Sequence, residues 1–277
     1  MATFVVAVSG GVDSVTLLHM LSEVKDHDIV VAHFDHGIRE DSSEDAVFVE
    51  SLSDQYGLRF ETKRVVLGPD ASEEKARRAR YDFLRSVAKK HDARIVTAHH
   101  ADDAIETIAI NFKRGTGWRG LAVLDSDVLR PLLQLSKKDL IEYAREHGLT
   151  WREDSTNASD AYLRNRVRQQ TGALDDETKR ELLALRSQQL EGKRLIEKEV
   201  VKLVGDGPAY SRYFFSHIPV SVAIECLRYI TKAQLTRPQL ERVLLAIKTA
   251  QPKTSYQAGS GLTFDFTTRN FSLSLLK

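Results

Sequence analysis

Six residues, Ser9-Gly10-Gly11-Val12-Asp13-Ser14, follow directly on the apolar run Phe4-Val5-Val6-Ala7-Val8. Their types suit a phosphate cradle at the end of a strand. Two glycines let the backbone take positive φ and approach a ligand closely, and the helix suggested by Val15-Thr16-Leu17-Leu18 aims free N–H groups back at the loop. Ser9 and Ser14 add hydroxyl donors. Asp13 is out of place beside an anion unless a divalent cation neutralises both, so it is the candidate Mg²⁺ ligand, with a bound ATP as the anion. No Gly-x-x-x-x-Gly-Lys-Ser/Thr occurs in the chain. The lysine that grips β- and γ-phosphates in that loop is therefore missing, and simple γ-phosphoryl transfer loses support. The bland alternative is a Gly-Gly turn with a capping Ser or Asp; the strand before it and the helix after it weigh against that.

A second group is acidic. Asp102, Asp103 and Glu106 fall in the first turns of an expected helix, where spacings of three and four put Glu106 on the face of both aspartates. Such a cluster can bind Mg²⁺, hold an amine, or take a proton from a nucleophile. A solvated acidic first turn is the plain alternative, and the preceding His99-His100 favours function over it. His33 and His36 flank Asp35 at the end of another apolar run, Val30-Val31-Ala32. Two histidines without a nearby cysteine make a poor zinc site, so contacts to nucleotide phosphate, base or RNA fit better, with Asp35 available to help the Mg²⁺ site. Gly115-Thr116-Gly117-Trp118-Arg119-Gly120 spells a dinucleotide fingerprint but follows a helix instead of a strand, which rejects that reading. It reads instead as a flexible, cationic loop, with Arg114 able to stabilise charge on a transferred group. Basic residues gather at Lys75, Arg77, Arg78 and Arg80 and again at Arg164, Arg166 and Arg168. The second set does not share one helical face, so RNA phosphate contact is preferred to a structural stripe. For the first set a solvated helix rim competes equally.

These clusters must be positioned by a scaffold. Up to about residue 147, buried-type apolar runs near 3–8, 29–34, 58–66 and 94–98 alternate with helical segments near 14–24, 42–56, 73–90, 101–113 and 136–147. This is the pattern of an α/β fold with a parallel sheet covered on both faces. Ligands gather beyond the carboxyl ends of such strands, and the Ser-Gly-Gly, His33–His36 and His99–Asp103 clusters all fall at strand ends. Residues 1–175 are expected to form the ATP-binding catalytic domain and 176–204 one long connecting helix. Residues 205–277 should form a small, mainly helical domain, with helices near 217–231 and 236–249 and short strands near 254–258, 262–267 and 271–276, aiding RNA binding. A chain of 277 residues, 42% hydrophobic and 29% charged, suits a soluble globular protein with two cores. The net charge of +1 requires any RNA partner to meet a local basic patch. One cysteine, Cys226, excludes an internal disulfide and any Cys-x-x-Cys pair. No signal-peptide pattern or long apolar stretch is visible, so a cytoplasmic protein without a membrane partner is expected.

The segments Ser9–Ser14, His33-Phe34-Asp35-His36-Gly37-Ile38-Arg39, Ala76-Arg77-Arg78-Ala79-Arg80-Tyr81, His99–Thr107, Arg114–Gly117, Trp151–Asn157 and Tyr162-Leu163-Arg164-Asn165 occur in a specific order. The ordered set resembles the tRNA(Ile)-lysidine synthetase family of pyrophosphatase-type PP-loop enzymes, strongly over residues 3–170 and in its short form. The resemblance implies a C–N bond-forming ligase using ATP and Mg²⁺. Cytosine O2 of the wobble cytidine in a CAU anticodon attacks the α-phosphate, and the ε-amine of L-lysine then displaces AMP. It further implies that Ser9, Gly10, Gly11, Val12, Asp13, Ser14, His33 and Asp35 hold ATP, with Asp13 also the Mg²⁺ ligand. Asp102, Asp103 and Glu106 would hold lysine. Arg77, Arg80, Arg114, Arg164, Arg166 and Arg168 would contact tRNA(Ile), and Asp13, Asp103, Glu106 and Arg114 would be catalytic. A homodimer is compatible with this reading. The family usually has Gln-Ala where this chain has Ala104-Ile105. A tRNA 2-thiolation enzyme would share fold and loop but typically recruits cysteines; Cys226 alone, outside the expected catalytic domain, argues against it. A small-molecule amidating ligase would need an ammonia route, and a nonenzymatic RNA-binding module would leave the phosphate loop idle.

Overall fold

The computed structural model describes residues 2–37, 42–66, 68, 72–153, 163–205 and 207–275. The chain divides into two compact units, Met1–Leu190 and Glu191–Lys277. In the first, strands β1 (Ala2–Ala7), β2 (His27–Asp35), β3 (Arg59–Arg64) and β4 (Arg94–Val96) form a parallel sheet in the order β3-β2-β1-β4. Leu129 extends it by one rung beside β4, exchanging backbone hydrogen bonds with Ile95 and Thr97. The helices are α1 (Val12–Ser22), α2 (Ser42–Gln55), α3 (Glu73–Lys90), α4 (Ala101–Lys113), α5 (Lys137–Glu146) and α6 (Leu163–Gly172). A long helix, α7 (Asp176–Val204), carries the division between the units near its middle.

Side chains alternate across a strand, and both sets are apolar here. Val6, Val31 and Val96 pack with Leu17 and Leu18 of α1, Val49 and Leu52 of α2, and Leu140 of α5. On the opposite face Val5, Val30, Ala32 and Ile95 pack with Phe83, Leu84 and Val87 of α3. Burial of each such side chain contributes about 1.5–3 kcal/mol, and the two-faced burial explains why the strands read as continuous apolar runs. The edge strand β3, Arg59-Phe60-Glu61-Thr62-Lys63-Arg64, is mostly charged and exposed, which discourages further strand pairing.

The second unit has helices α8 (Arg212–His217), α9 (Val220–Ile230) and α10 (Arg237–Thr249). They accompany an antiparallel sheet of β5 (Tyr210–Ser211), β6 (Thr254–Gly259), β7 (Leu262–Phe266) and β8 (Asn270–Leu275), ordered β5-β8-β7-β6. Phe215, Leu227, Leu240, Ile247, Phe264 and Phe271 form its core, and Cys226 is buried among them. Among the described residues no helix is long and apolar enough to cross a membrane. Three elements differ from the sequence expectation. A helix covers 163–172, α8 is a separate short helix, and β2 runs from His27 to Asp35 instead of over 29–34.

Candidate active site

The strand order reverses direction at β1: the chain goes from β1 to β2 and β3 on one side, then to β4 on the other. That crevice is the place where an open α/β sheet receives a ligand. A cavity of about 480 Å³ opens there, lined by Ser9, Gly11, Asp13 and Ser14 after β1, His33–Gly37 at the end of β2, and Thr97–His99 and Asp103 beyond β4. Arg77 and Arg80 of α3 and Arg152 complete its walls. Its size falls within the roughly 300–1,000 Å³ typical of small-ligand sites.

The loop is held by its own hydroxyls. Ser14 Oγ donates to the Gly11 carbonyl at 2.9 Å and accepts from the Ser9 N–H at 3.1 Å, while the Gly11 N–H reaches Ser9 Oγ at 3.4 Å. Gly11 is the N-cap of α1 and supplies no side-chain cap; the Ser14 N–H bonds the Gly11 carbonyl at 3.1 Å, which leaves the Val12 and Asp13 amides of the first turn for an anion. Gly10 adopts φ +91°, and a Cβ there would lie 3.4 Å from the Phe48 ring. Its carbonyl accepts from the Arg152 N–H at 2.9 Å. Arg152 in turn binds Asp45 at 2.6 Å and Glu44 at 2.9 Å, tying a segment 142 positions away to the cradle.

His33 and Asp35 are both buried in the cavity wall. His33 Nδ1 lies 2.9 Å from the Val8 carbonyl, which can only accept, so Nδ1 carries the proton and Nε2 presents a lone pair. Nε2 is buried without a partner among the described residues. Asp35 accepts the Gly37 N–H at 2.7 Å and pairs with Arg64 at 3.3 Å. Burial, together with the Arg80 charge, lowers the His36 pKa.

The acids separate by role. Asp103 faces the cavity, and its Oδ2 accepts the His100 N–H at 3.0 Å at the start of α4. Asp102 does not line the cavity; it accepts the Lys137 N–H at 2.7 Å and meets Lys179 at 3.3 Å. His100 lies 3.6 Å from it, an ion-pair distance rather than a hydrogen bond, and with Lys137 keeps the Asp102 carboxyl far below the usual range. Asp102, expected to hold lysine, thus has one oxygen on the Lys137 N–H and the other beside Lys179. Glu106 is 2% exposed and accepts from Arg168 at 2.6 and 3.4 Å. Arg168, expected to contact RNA, thus pairs with Glu106 while its side chain stays 44% exposed.

Two adjacent histidines are shifted in opposite directions. Burial drives the His99 pKa down to about 4, with Asp103 opposing, and Thr97 Oγ1 lies 2.8 Å from its Nδ1. Burial would also lower His100, but Asp102, Asp103 and Asp13 together outweigh it and raise its pKa.

Arg77 and Arg80 of the remaining predicted residues lie in the cavity wall, their guanidinium carbons 5.0 and 5.6 Å from the Tyr81 ring centre. Arg166 is exposed on α6. The Arg164 side chain and the motif positions 38–39, 154–157 and 162 lie outside the described residues. Arg114 caps the far end of α4, and the helix rise puts its backbone ~16 Å along the axis from that of Asp103. The loop after it is ordered by Asn111, which donates to the Gly120 carbonyl at 3.0 Å and whose own carbonyl accepts from Thr116 Oγ1 at 3.0 Å. Ala104 is fully buried against Ile108 and Val123. Sequence reasoning did not assign Lys137 and Arg152 a role at the site; only Arg152 had a signal, as part of the Trp151–Asn157 motif.

Residues 1–173 match the PP-loop domain family. The tRNA(Ile)-lysidine synthase of Solibacter usitatus is 42% identical over 173 residues, 60% of this chain and 39% of the relative. That of Thermotoga maritima is 34% identical over 264 residues, 88% of this chain and 64% of the relative. The Thermus thermophilus enzyme of the same name is 35% identical over 258 residues, 87% of this chain and 51% of the relative. The chain thus spans about two fifths to just under two thirds of these relatives. The U34-tRNA thiolase NcsA of Methanococcus maripaludis, solved with its [4Fe-4S] cluster, shares the fold at a TM-score of 0.58 and 14% identity, over 69% of this chain and 72% of that one.

Proposed function

The chain belongs to the PP-loop domain family, and from that premise we propose that it carries out the reaction of a tRNA(Ile)-lysidine synthetase in the cytoplasm. ATP enters the cavity beyond β1 and β4, its phosphates meeting the free amides of α1 and the Ser9 and Ser14 hydroxyls. The unpartnered Nε2 of His33 suits a donor such as the adenine amino group. Oxygen O2 of the wobble cytidine attacks the α-phosphorus, the bond to the β-phosphate breaks, and pyrophosphate leaves with its electron pair. The lysine ε-amine then attacks C2 of the adenylated base, and AMP departs. Cation and carboxylate placement fits these two steps: Arg77 and Arg80 face the entering RNA phosphates, while Asp103 in the cavity can orient the amine and accept its proton. Glu106 lies one turn deeper, shared with Arg168.

Among the described residues no three acids or histidines gather into a ready metal site. A Mg²⁺ ion that arrives on a polyphosphate needs only one or two carboxylates, and Asp13 and Asp103, within 3.8 and 3.6 Å of the same His100 nitrogen, fit that set. The ion would supply charge neutralisation of the phosphates.

The observation that carries the proposal is the joint lining of one cavity by the Ser-Gly-Gly loop and Asp103. The thiolase alternative lacks a thiol there: Cys226 is buried in the second unit. Incubation with ATP, Mg²⁺, labelled lysine and a tRNA(Ile) transcript bearing CAU should transfer label, and changing the wobble base should abolish transfer. Asp13→Ala should abolish AMP formation. Label transfer to a transcript lacking the wobble cytidine would refute the assignment.

A further inference from the structure

The phosphate loop carries no lysine of its own, yet an ammonium stands at its mouth. Lys137, the first residue of α5, places Nζ 2.6 Å from Asp13 Oδ1. Its backbone is fixed: the N–H donates to Asp102, and Ser136 and Asp139 close a capping box around the same turn. The origin of the side chain is fixed as well, because α5 packs on α1 through fully buried Leu140, whose carbonyl accepts from Thr16 Oγ1 at 3.4 Å. The side chain itself is 43% exposed and Asp13 30% exposed. A flexible four-carbon stem on a rigid base can thus exchange one anionic partner for another nearby.

Resting on the reading above, we propose that Lys137 is the pyrophosphate-gripping cation of this site. It neutralises Asp13 while the cavity holds no nucleotide and passes to the β- and γ-phosphate oxygens when ATP binds. As the base oxygen bonds to the α-phosphorus, the bridging oxygen departs with the electron pair, and the Lys137 charge offsets the charge added to the leaving group. Lys137 neither gains nor loses a proton. Asp13, released by the lysine, is then open to the incoming divalent ion.

The test uses the full chain and inorganic pyrophosphate with Mg²⁺ as the probe, measured by calorimetry and as product inhibition of tRNA-dependent turnover. Loss of one charge-assisted contact predicts that Lys137→Met binds pyrophosphate about 10- to 100-fold more weakly. Its pyrophosphate release should slow while the KM for lysine stays unchanged, and Lys137→Arg should recover most of the binding. If Lys137→Met fails to fold because Asp13 is stranded, the double variant with Asp13→Asn removes the stranded charge and should bind pyrophosphate more weakly than Asp13→Asn alone. Wild-type affinity in Lys137→Met, or equal affinity in the double variant and Asp13→Asn, would overturn the inference, because Lys137 would then serve only to balance Asp13. Failure of the unaltered chain to bind either pyrophosphate or ATP would instead overturn the underlying functional reading.

Discussion

The Glu106–Arg168 pair is lopsided, and its two halves should not be equally expendable. The Glu106 side chain is 2% exposed and that of Arg168 44%. Replacing Arg168 by Met keeps much of the stem packing but strands a carboxylate in the interior. Breaking a buried pair this way costs about 3–5 kcal/mol, and the partial exposure of the arginine moves the expectation to the lower end, about 3 kcal/mol. Glu106→Gln keeps an acceptor for the guanidinium and leaves the cation able to reach water, so its loss should be about 1 kcal/mol. In a unit of this size the difference corresponds to roughly 4–8 °C in melting temperature. The sign with pH follows from the stranded acid, whose folded pKa rises above its unfolded value of about 4.3. The Arg168→Met penalty is therefore full above the raised folded pKa, shrinks as pH falls through it, and is gone below the unfolded value. Urea denaturation at pH 8 and pH 5 reads this directly, and the Glu106→Gln/Arg168→Met double variant should be more stable at pH 8 than Arg168→Met alone. Equal losses for the two single variants, or a pH-independent loss in Arg168→Met, would refute the reasoning. With tRNA, Glu106→Gln should impair lysine attachment more than pyrophosphate release.

Two further outcomes are expected. His99, depressed to about 4, contributes stability above its unfolded pKa of about 6.5 that is lost as pH falls toward 4, whereas raised His100 contributes stability below about 6.5 that is lost as pH rises through its folded pKa. His99→Gln should accordingly flatten the decline of stability between pH 6.5 and pH 5 and His100→Gln the decline above pH 6.5, as followed by denaturation at pH 5, 6.5 and 8. Gly10→Ala forces a side chain into φ +91° against the Phe48 ring; it should cost about 1–2 kcal/mol and weaken ATP binding measurably by calorimetry, and an unchanged melting temperature would contradict the strain.

The parts of the site that sequence made legible are those with a local signature. Apolar runs at Phe4–Val8 and Val30–Ala32 had to be two-sided strands, and Gly10-Gly11 at the end of the first had to turn into a helix. Asp103 and Glu106 were placed on one helix by spacing alone. What spacing cannot say is which way a neighbour arrives. Asp102 and Asp103 differ by one position, or about 100° around the helix, so one faces Lys137 and the other the cavity. The alternate spacing of Arg164, Arg166 and Arg168 argues against a helix stripe, yet α6 forms and brings Arg168 onto Glu106. Lys137 and Arg152 reach the loop by tertiary pairing, and nothing near Ser9–Ser14 in the chain encodes their arrival.

That separation has a kinetic meaning. The contacts that shape the cradle join residues 124 positions apart for Asp13 and Lys137 and 108 apart for Arg152 and Glu44, and such long loops close only after much chain entropy has been lost. The cradle is complete only once these distant segments have met. A ligand that captures it therefore holds the first unit against unfolding by mass action.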